Sequence, residues 1–151
     1  MAVREIVKTD RAPAPVGPYS QGVVASGKML FVAGQICLDA ATGELVGSTV
    51  ADQTKKVLQN LAAVVKAGGA ELSDVVKTSV FLKDMDDFAA MNEVYAQYFE
   101  GEAAPARACV EVARLPKDVL VEIECIAMVP EQNLYPVDRD SSSSVNLDPL
   151  T

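Results

Sequence analysis

The order of elements predicts an α+β sandwich, with two amphipathic helices on one face of a mixed sheet. Three features of the chain lead there. Alternating, β-branched segments gather at its two ends. Two helical patterns fill the middle. The last apolar segment, "VLVEIECIAMV", is hydrophobic on both sides apart from Glu122 and Glu124, which share a face by two-residue alternation. Strands segregated from helices, rather than strictly alternating with them, favour α+β over a doubly wound parallel sheet.

Taken in order, "REIVK" (residues 4–8) fits a short edge strand. "RAPAPVGPYS" is rich in proline, so it is expected to be extended and unable to join a central strand. "QGVVASGKMLFVAGQI" reads as two strands around a hairpin turn at Ser26-Gly27-Lys28, and "LDAATGELV" as a turn with Thr42-Gly43 at its tip. The first helix spans about Thr49 to Ala67. Thr49 can cap it with Asp52 three residues on, and Val50, Thr54, Val57, Leu61, Val64 and Val65 form its apolar stripe. Gly68-Gly69 ends that helix and matches no phosphate-binding loop. "VVKTSVFLKD" (75–84) is a strand. A second helix covers roughly Asp87 to Phe99, and its Phe88, Met91, Tyr95 and Tyr98 are assigned to the core. Strands over 106–114 and 119–129, joined by "LPKD", complete the domain.

Helices can cover only one face of such a sheet. The other apolar face then needs a second subunit, because a monomer would expose too large a patch. An obligate oligomer is expected.

Composition narrows the chemistry. A chain of 151 residues, half of them hydrophobic, is long enough for one real core. No apolar run approaches the roughly 20 residues of a membrane-spanning helix, and "MAVREIVKTD" lacks a signal-like apolar region, so a cytoplasmic protein is expected. The net charge of −8 disfavours binding to nucleic-acid phosphates. There is no histidine, and the three cysteines (Cys37, Cys109, Cys125) form no close pair, which argues against a zinc site. Ser–His and Cys–His catalysis are excluded. Acid–base work falls to Glu, Asp, Tyr, Cys or Lys, or to a group on the substrate.

Arg107, Glu122 and Glu124 are charges in strands that otherwise read as buried. An internal ion pair is one account. If "LPKD" closes a simple hairpin, Arg107, Cys109 and Glu111 share a face with Glu122 and Glu124. Three carboxylates would then crowd one cation, and either a bulge separates them or one glutamate holds a proton. A carboxyl with a raised pKa beside an arginine fork suits a small anionic organic molecule.

At these residues the chain resembles a known family. "PARACVEVARLPKDVLVEIECIAMV", "GPYSQG", "VAGQI" and "VVKTSVFLKDMDDFAAMNEVY" are similar to the signatures of the Rid (RidA, YjgF-type) proteins, over about residues 3–130. The resemblance implies a chorismate-mutase-like fold, a homotrimer with a barrel of sheets inside, and clefts between neighbouring subunits. It implies hydrolysis of reactive 2-imino acids or their enamines, such as 2-iminobutanoate and 2-iminopropanoate, to 2-oxo acids and ammonia. No metal or organic cofactor is implied. By position, Arg107 would clamp the substrate carboxylate, Glu122 would activate water, and Tyr19 would line the cleft with Gly34, Asn92 and Cys109. Ala33 stands where many relatives carry a serine, which puts a substrate or water hydrogen bond in question. Residues 131–151, with their serine run, have no counterpart and read as a flexible extension to a single domain over 1–130. Two rival readings are a non-catalytic trimer that binds small carboxylates or acts as a chaperone or regulator, and a ribonuclease or translation inhibitor. The acidic composition weighs against the ribonuclease.

Overall fold

The computed structural model describes residues 3–131. The extension expected over 131–151 lies outside them apart from Glu131. In chain order the elements are β1 (Val3–Val7), β2 (Gly22–Ser26), β3 (Lys28–Gln35), α1 (Val50–Ala67), β4 (Val75–Leu82), α2 (Phe88–Tyr98), β5 (Ala106–Glu111) and β6 (Val121–Val129). Both helices pack on one side of a mixed four-stranded sheet with strand order β3-β6-β4-β5. The expected fold class is what the structure shows. Among the described residues, no helix is long and apolar enough to cross a membrane.

Local chemistry sets the helix ends. Thr49 is extended and its side chain accepts the Asp52 N–H, satisfying one of the donors orphaned at a helix start. Gly68 closes α1 and Gly69 follows at φ +90°, a conformation that costs a residue with a Cβ more than glycine. The buried stripe of α1 includes Leu58 as well as Val50, Thr54, Val57, Leu61 and Val65, whereas Val64 is exposed. Val64 borders the stripe and lines an open cleft with Gly34, Gln35 and Asn60.

Two expectations about the sheet fail. Ser26-Gly27-Lys28 is not a hairpin turn. Gly27, at φ +122°, bends the chain from β2, which pairs antiparallel with β1, into β3, which pairs antiparallel with β6. Nor does "LPKD" close a hairpin. After β5 the chain makes a short turn at Pro116–Asp118, with Lys117 and Asp118 both at φ 55°, and crosses to the far side of β4. β4 pairs parallel with β5 and antiparallel with β6, so it lies between them.

That insertion decides which side chains meet. Arg107 pairs with Thr78 and Glu122 with Phe81. Residues 78 and 81 of one strand are three apart and therefore point to opposite faces. Arg107, Cys109 and Glu111 share the face that α2 covers, while Glu122 and Glu124 lie on the open one. The crowd of three carboxylates around one arginine does not form. The open face carries Phe31 at 68% exposure and Met29 at 51%, an apolar surface that no element among the described residues covers.

Candidate functional site

The first cluster is built around Arg107, on the edge strand β5. Its Nη1 donates to Asn92 Oδ1 at 2.6 Å. Asn92 sits in α2 between Phe88 and Tyr95, at helical spacings that turn all three toward β5. The guanidinium carbon lies 4.8 Å from the centre of the Tyr95 ring, 5.1 Å from Tyr19 and 5.6 Å from Phe88. Rings at this range attract a cation through their quadrupoles without neutralising it. Among the described residues, no carboxylate pairs with Arg107. Burial draws its pKa down, opposed by Tyr95, Cys109 and Tyr19, yet an arginine remains charged. The result is a half-buried, oriented cation whose fork is not used by any anionic side chain among the described residues.

Two supports hold that geometry. Beneath Arg107, Tyr95 Oη and Thr78 Oγ1 are hydrogen-bonded at 2.6 Å, and both residues are fully buried. Burial pushes the Tyr95 phenol up to about 12, so it stays protonated. Above Arg107, the loop backbone comes so close at Gly17 that a Cβ there would stand 3.1 Å from Arg107 Nη2. Cys109 follows two residues along the same face of β5. Burial raises its thiol pKa, partly offset by Arg107, which keeps it away from thiolate chemistry.

The second cluster is on the open face of the sheet. The pairing of β3 with β6 slips between Val32 and Gln35, so Ala33 and Gly34 lie in an irregular stretch. Gly34 backs directly onto Glu122: a Cβ at residue 34 would be 2.9 Å from both Cδ and Oε2 of that carboxyl. Burial raises the Glu122 pKa, and the like charge of Glu124 adds to the rise. Ala33 lines a neighbouring cleft of about 420 Å³ with Phe31, Lys77, Ser79 and Glu124.

Within one chain, then, Tyr19, Asn92, Arg107 and Cys109 come together, and Gly34 joins Glu122 elsewhere, with Ala33 alongside. The two groups do not meet. Gly17, Phe88 and Tyr95 belong to the Arg107 cluster and were not expected there. Phe88 and Tyr95 flank Asn92 at −4 and +3, a spacing that would have placed them beside whatever Asn92 contacts. Among the described residues, no group of three or more His, Cys, Asp or Glu side chains is arranged to hold a metal ion.

Comparison with known proteins places the chain in a family. The family described as Endoribonuclease L-PSP matches residues 9–129. A RutC family protein of Pyrococcus horikoshii is 58% identical over 125 residues, covering 83% of this chain and 98% of that protein. TdcF of Escherichia coli, named as a candidate reactive intermediate deaminase, is 48% identical over 128 residues, covering 83% of this chain and 98% of TdcF. A crystal structure of TdcF with bound serine superposes with a TM-score of 0.64, at 48% identity over 83% of this chain and 99% of that one. A structure from Thermotoga maritima described as a candidate endoribonuclease gives a TM-score of 0.66 at 52% identity, covering 85% of this chain and 99% of that one. The chain belongs to this L-PSP family, the YjgF/RidA/RutC group, which includes candidate reactive intermediate deaminases.

Proposed function

We propose that this member of the family hydrolyses small 2-imino acids, 2-iminobutanoate and 2-iminopropanoate among them, to 2-oxo acids and ammonium in the cytoplasm. The site is completed between subunits of a homotrimer, with Arg107 from one protomer facing Glu122 of its neighbour. One observation carries the reading: a half-buried arginine, oriented by Asn92 and three rings, with no carboxylate partner among the described residues. A buried cation without a counter-ion is costly unless a ligand supplies one, and a guanidinium fork matches a carboxylate bidentately.

The chemistry follows from the groups. The substrate carboxylate docks on Arg107, which leaves the C=NH2+ carbon facing the neighbour's carboxyl. Glu122 takes a proton from water as the oxygen bonds to that carbon, giving a carbinolamine. The proton then passes from Glu122 to the nitrogen. The C–N bond breaks, and the hydroxyl proton follows the departing ammonia by way of the carboxylate, leaving a 2-oxo acid and ammonium. A carboxyl whose pKa is raised is suited to both halves of this exchange. Orientation supplies much of the rate, because a protonated imine is already electrophilic. A polynucleotide would call for several cations along its backbone, whereas the Arg107 cluster offers one.

The test couples purified threonine dehydratase to this protein in the presence of semicarbazide. Wild type lowers semicarbazone formation, and Arg107→Ala or Glu122→Ala restores it. Mixed oligomers of the two variants test the shared site, since about a quarter of the interfaces in a cyclic assembly regain both residues. Wild type without effect on trapping overturns the activity. Mixed oligomers as inactive as their parents overturn the division between subunits.

A further inference from the structure

Residues 9–21 form a strap that passes over Arg107, and backbone pairing with a strand holds it only at its Ser20 end. Pro13, Pro15 and Pro18 have no N–H to donate. Apolar packing does not hold it either. Val16 is 81% exposed, and the strap borders an open cavity of about 640 Å³ lined by Pro15, Tyr19 and Gln21. Four of the strap's carbonyls nevertheless have partners, and three of these are supplied by one side chain. Gln21 Nε2 donates to Pro13 O at 2.8 Å, Thr9 O at 3.0 Å and Ala12 O at 3.2 Å, so one of its two hydrogens is shared. Its Oε1 accepts the Thr9 N–H at 2.8 Å.

From the clasp the strap runs to the arginine. The Val16 N–H donates to Tyr19 Oη at 3.1 Å, and Tyr19 N–H to Gly17 O at 2.9 Å. Ser20 anchors the far end, donating from its N–H to Pro105 O at 3.1 Å and from its hydroxyl to Ala104 O. Gly17 and Tyr19 thereby lie against the guanidinium. We infer that Gln21 is a positioning residue: its side-chain amide folds the strap so that Tyr19 and Gly17 form the roof of the Arg107 site. Its consequence for turnover rests on the function proposed above, but its mechanical part does not.

Gln21→Glu is the informative variant because it keeps size and shape. The carboxylate can still accept the Thr9 N–H, but it turns three donor contacts into repulsion against three carbonyls. Gln21→Ala removes every contact. Hydrogen exchange at Arg11, Val16 and Tyr19, whose N–H groups are bonded within the strap, is expected to quicken about tenfold or more in both variants, the scale of losing one or two hydrogen bonds. Affinity for 2-oxobutanoate, a stable product, is expected to fall about tenfold, with KM rising in step and kcat held within about twofold, the signature of lost binding rather than lost chemistry. Unchanged exchange in both variants overturns the clasp. So does an equal fall of kcat and kcat/KM with KM fixed. If the wild type hydrolyses no imine, the proposed function fails, and the exchange rates still decide the role of Gln21.

Discussion

Gly34→Ala isolates the contribution of Glu122 without touching its chemistry. The added Cβ would stand 2.9 Å from both the carboxyl carbon and Oε2, and 3.2 Å from Cγ. Ordinary contact begins at 3.4 Å, so the carboxyl must retreat by at least about half an ångström, and by more where Cγ moves with it. The backbone need not resist, because residue 34 is not among the positive-φ glycines. An alanine here is also expected to narrow the unfolded ensemble, a gain of about 0.4–1 kcal/mol that offsets the side-chain shift. Stability should therefore stay near wild type. Misplacing a general base by up to 1 Å can lower a rate about a hundredfold, so a loss of about ten- to a hundredfold in kcat/KM is expected. The semicarbazide-trapping assay gives the rate, and a urea titration gives the stability. Full activity in a variant of wild-type stability would refute the assignment of Glu122 as the group that handles water.

Other perturbations probe the remaining parts. Removing a like charge stabilises a carboxylate, so Glu124→Gln should let Glu122 lose its proton at lower pH and move the acidic limb of kcat/KM downward. A limb that stays or moves upward contradicts the coupling. Tyr95→Phe leaves Thr78 Oγ1 buried without its partner and should lower stability by about 1–3 kcal/mol in urea titrations. Because the ring stays over Arg107, affinity for 2-oxobutanoate should change by no more than about twofold. Phe31→Lys puts a charge on the open apolar face and should reduce the particle mass by light scattering at micromolar concentration, with activity lost in parallel. An unchanged mass would show that assembly does not use that face.

What the sequence discloses here follows the range of the forces involved. Both helices were legible to within a residue or two because their signals are local: Thr49 before the stripe of α1, the Gly68-Gly69 pair after it, and the spacing of Met91 and Tyr95 in α2. The strands were legible as strands. Their neighbours were not, because "LPKD" and "SGK" look alike whether the chain folds back on itself or crosses to another partner. Arg107 announced itself as a charge in a β-rich segment. Its three rings did not, since a stripe of Phe88 and Tyr95 has the same period whether it faces aliphatic core or the rim of a cation. The contact of Gly34 with Glu122 joins residues that are close only through the pairing of β3 and β6, and no local pattern encodes that closeness.

The placement of β4 between β5 and β6 also bears on why the arginine remains available. In the hairpin that the sequence suggested, Arg107 and Glu122 could have met on one face. At a separation of 4 Å, opposite charges near a protein surface attract by about 4 kcal/mol. A substrate carboxylate would then have had to displace a glutamate before binding. Intervening β4 turns the two side chains to opposite faces, so neither can neutralise the other within one chain. The cation is held instead by Asn92, which takes one N–H of Nη1, and by rings, which steady it without a counter-charge. Under the proposed assembly, a second copy supplies the carboxyl only across a gap that the substrate fills. On that proposal the acid and the cation would stay apart until a substrate lies between them, and mixed oligomers of Arg107→Ala and Glu122→Ala can regain activity only if the site is shared in this way.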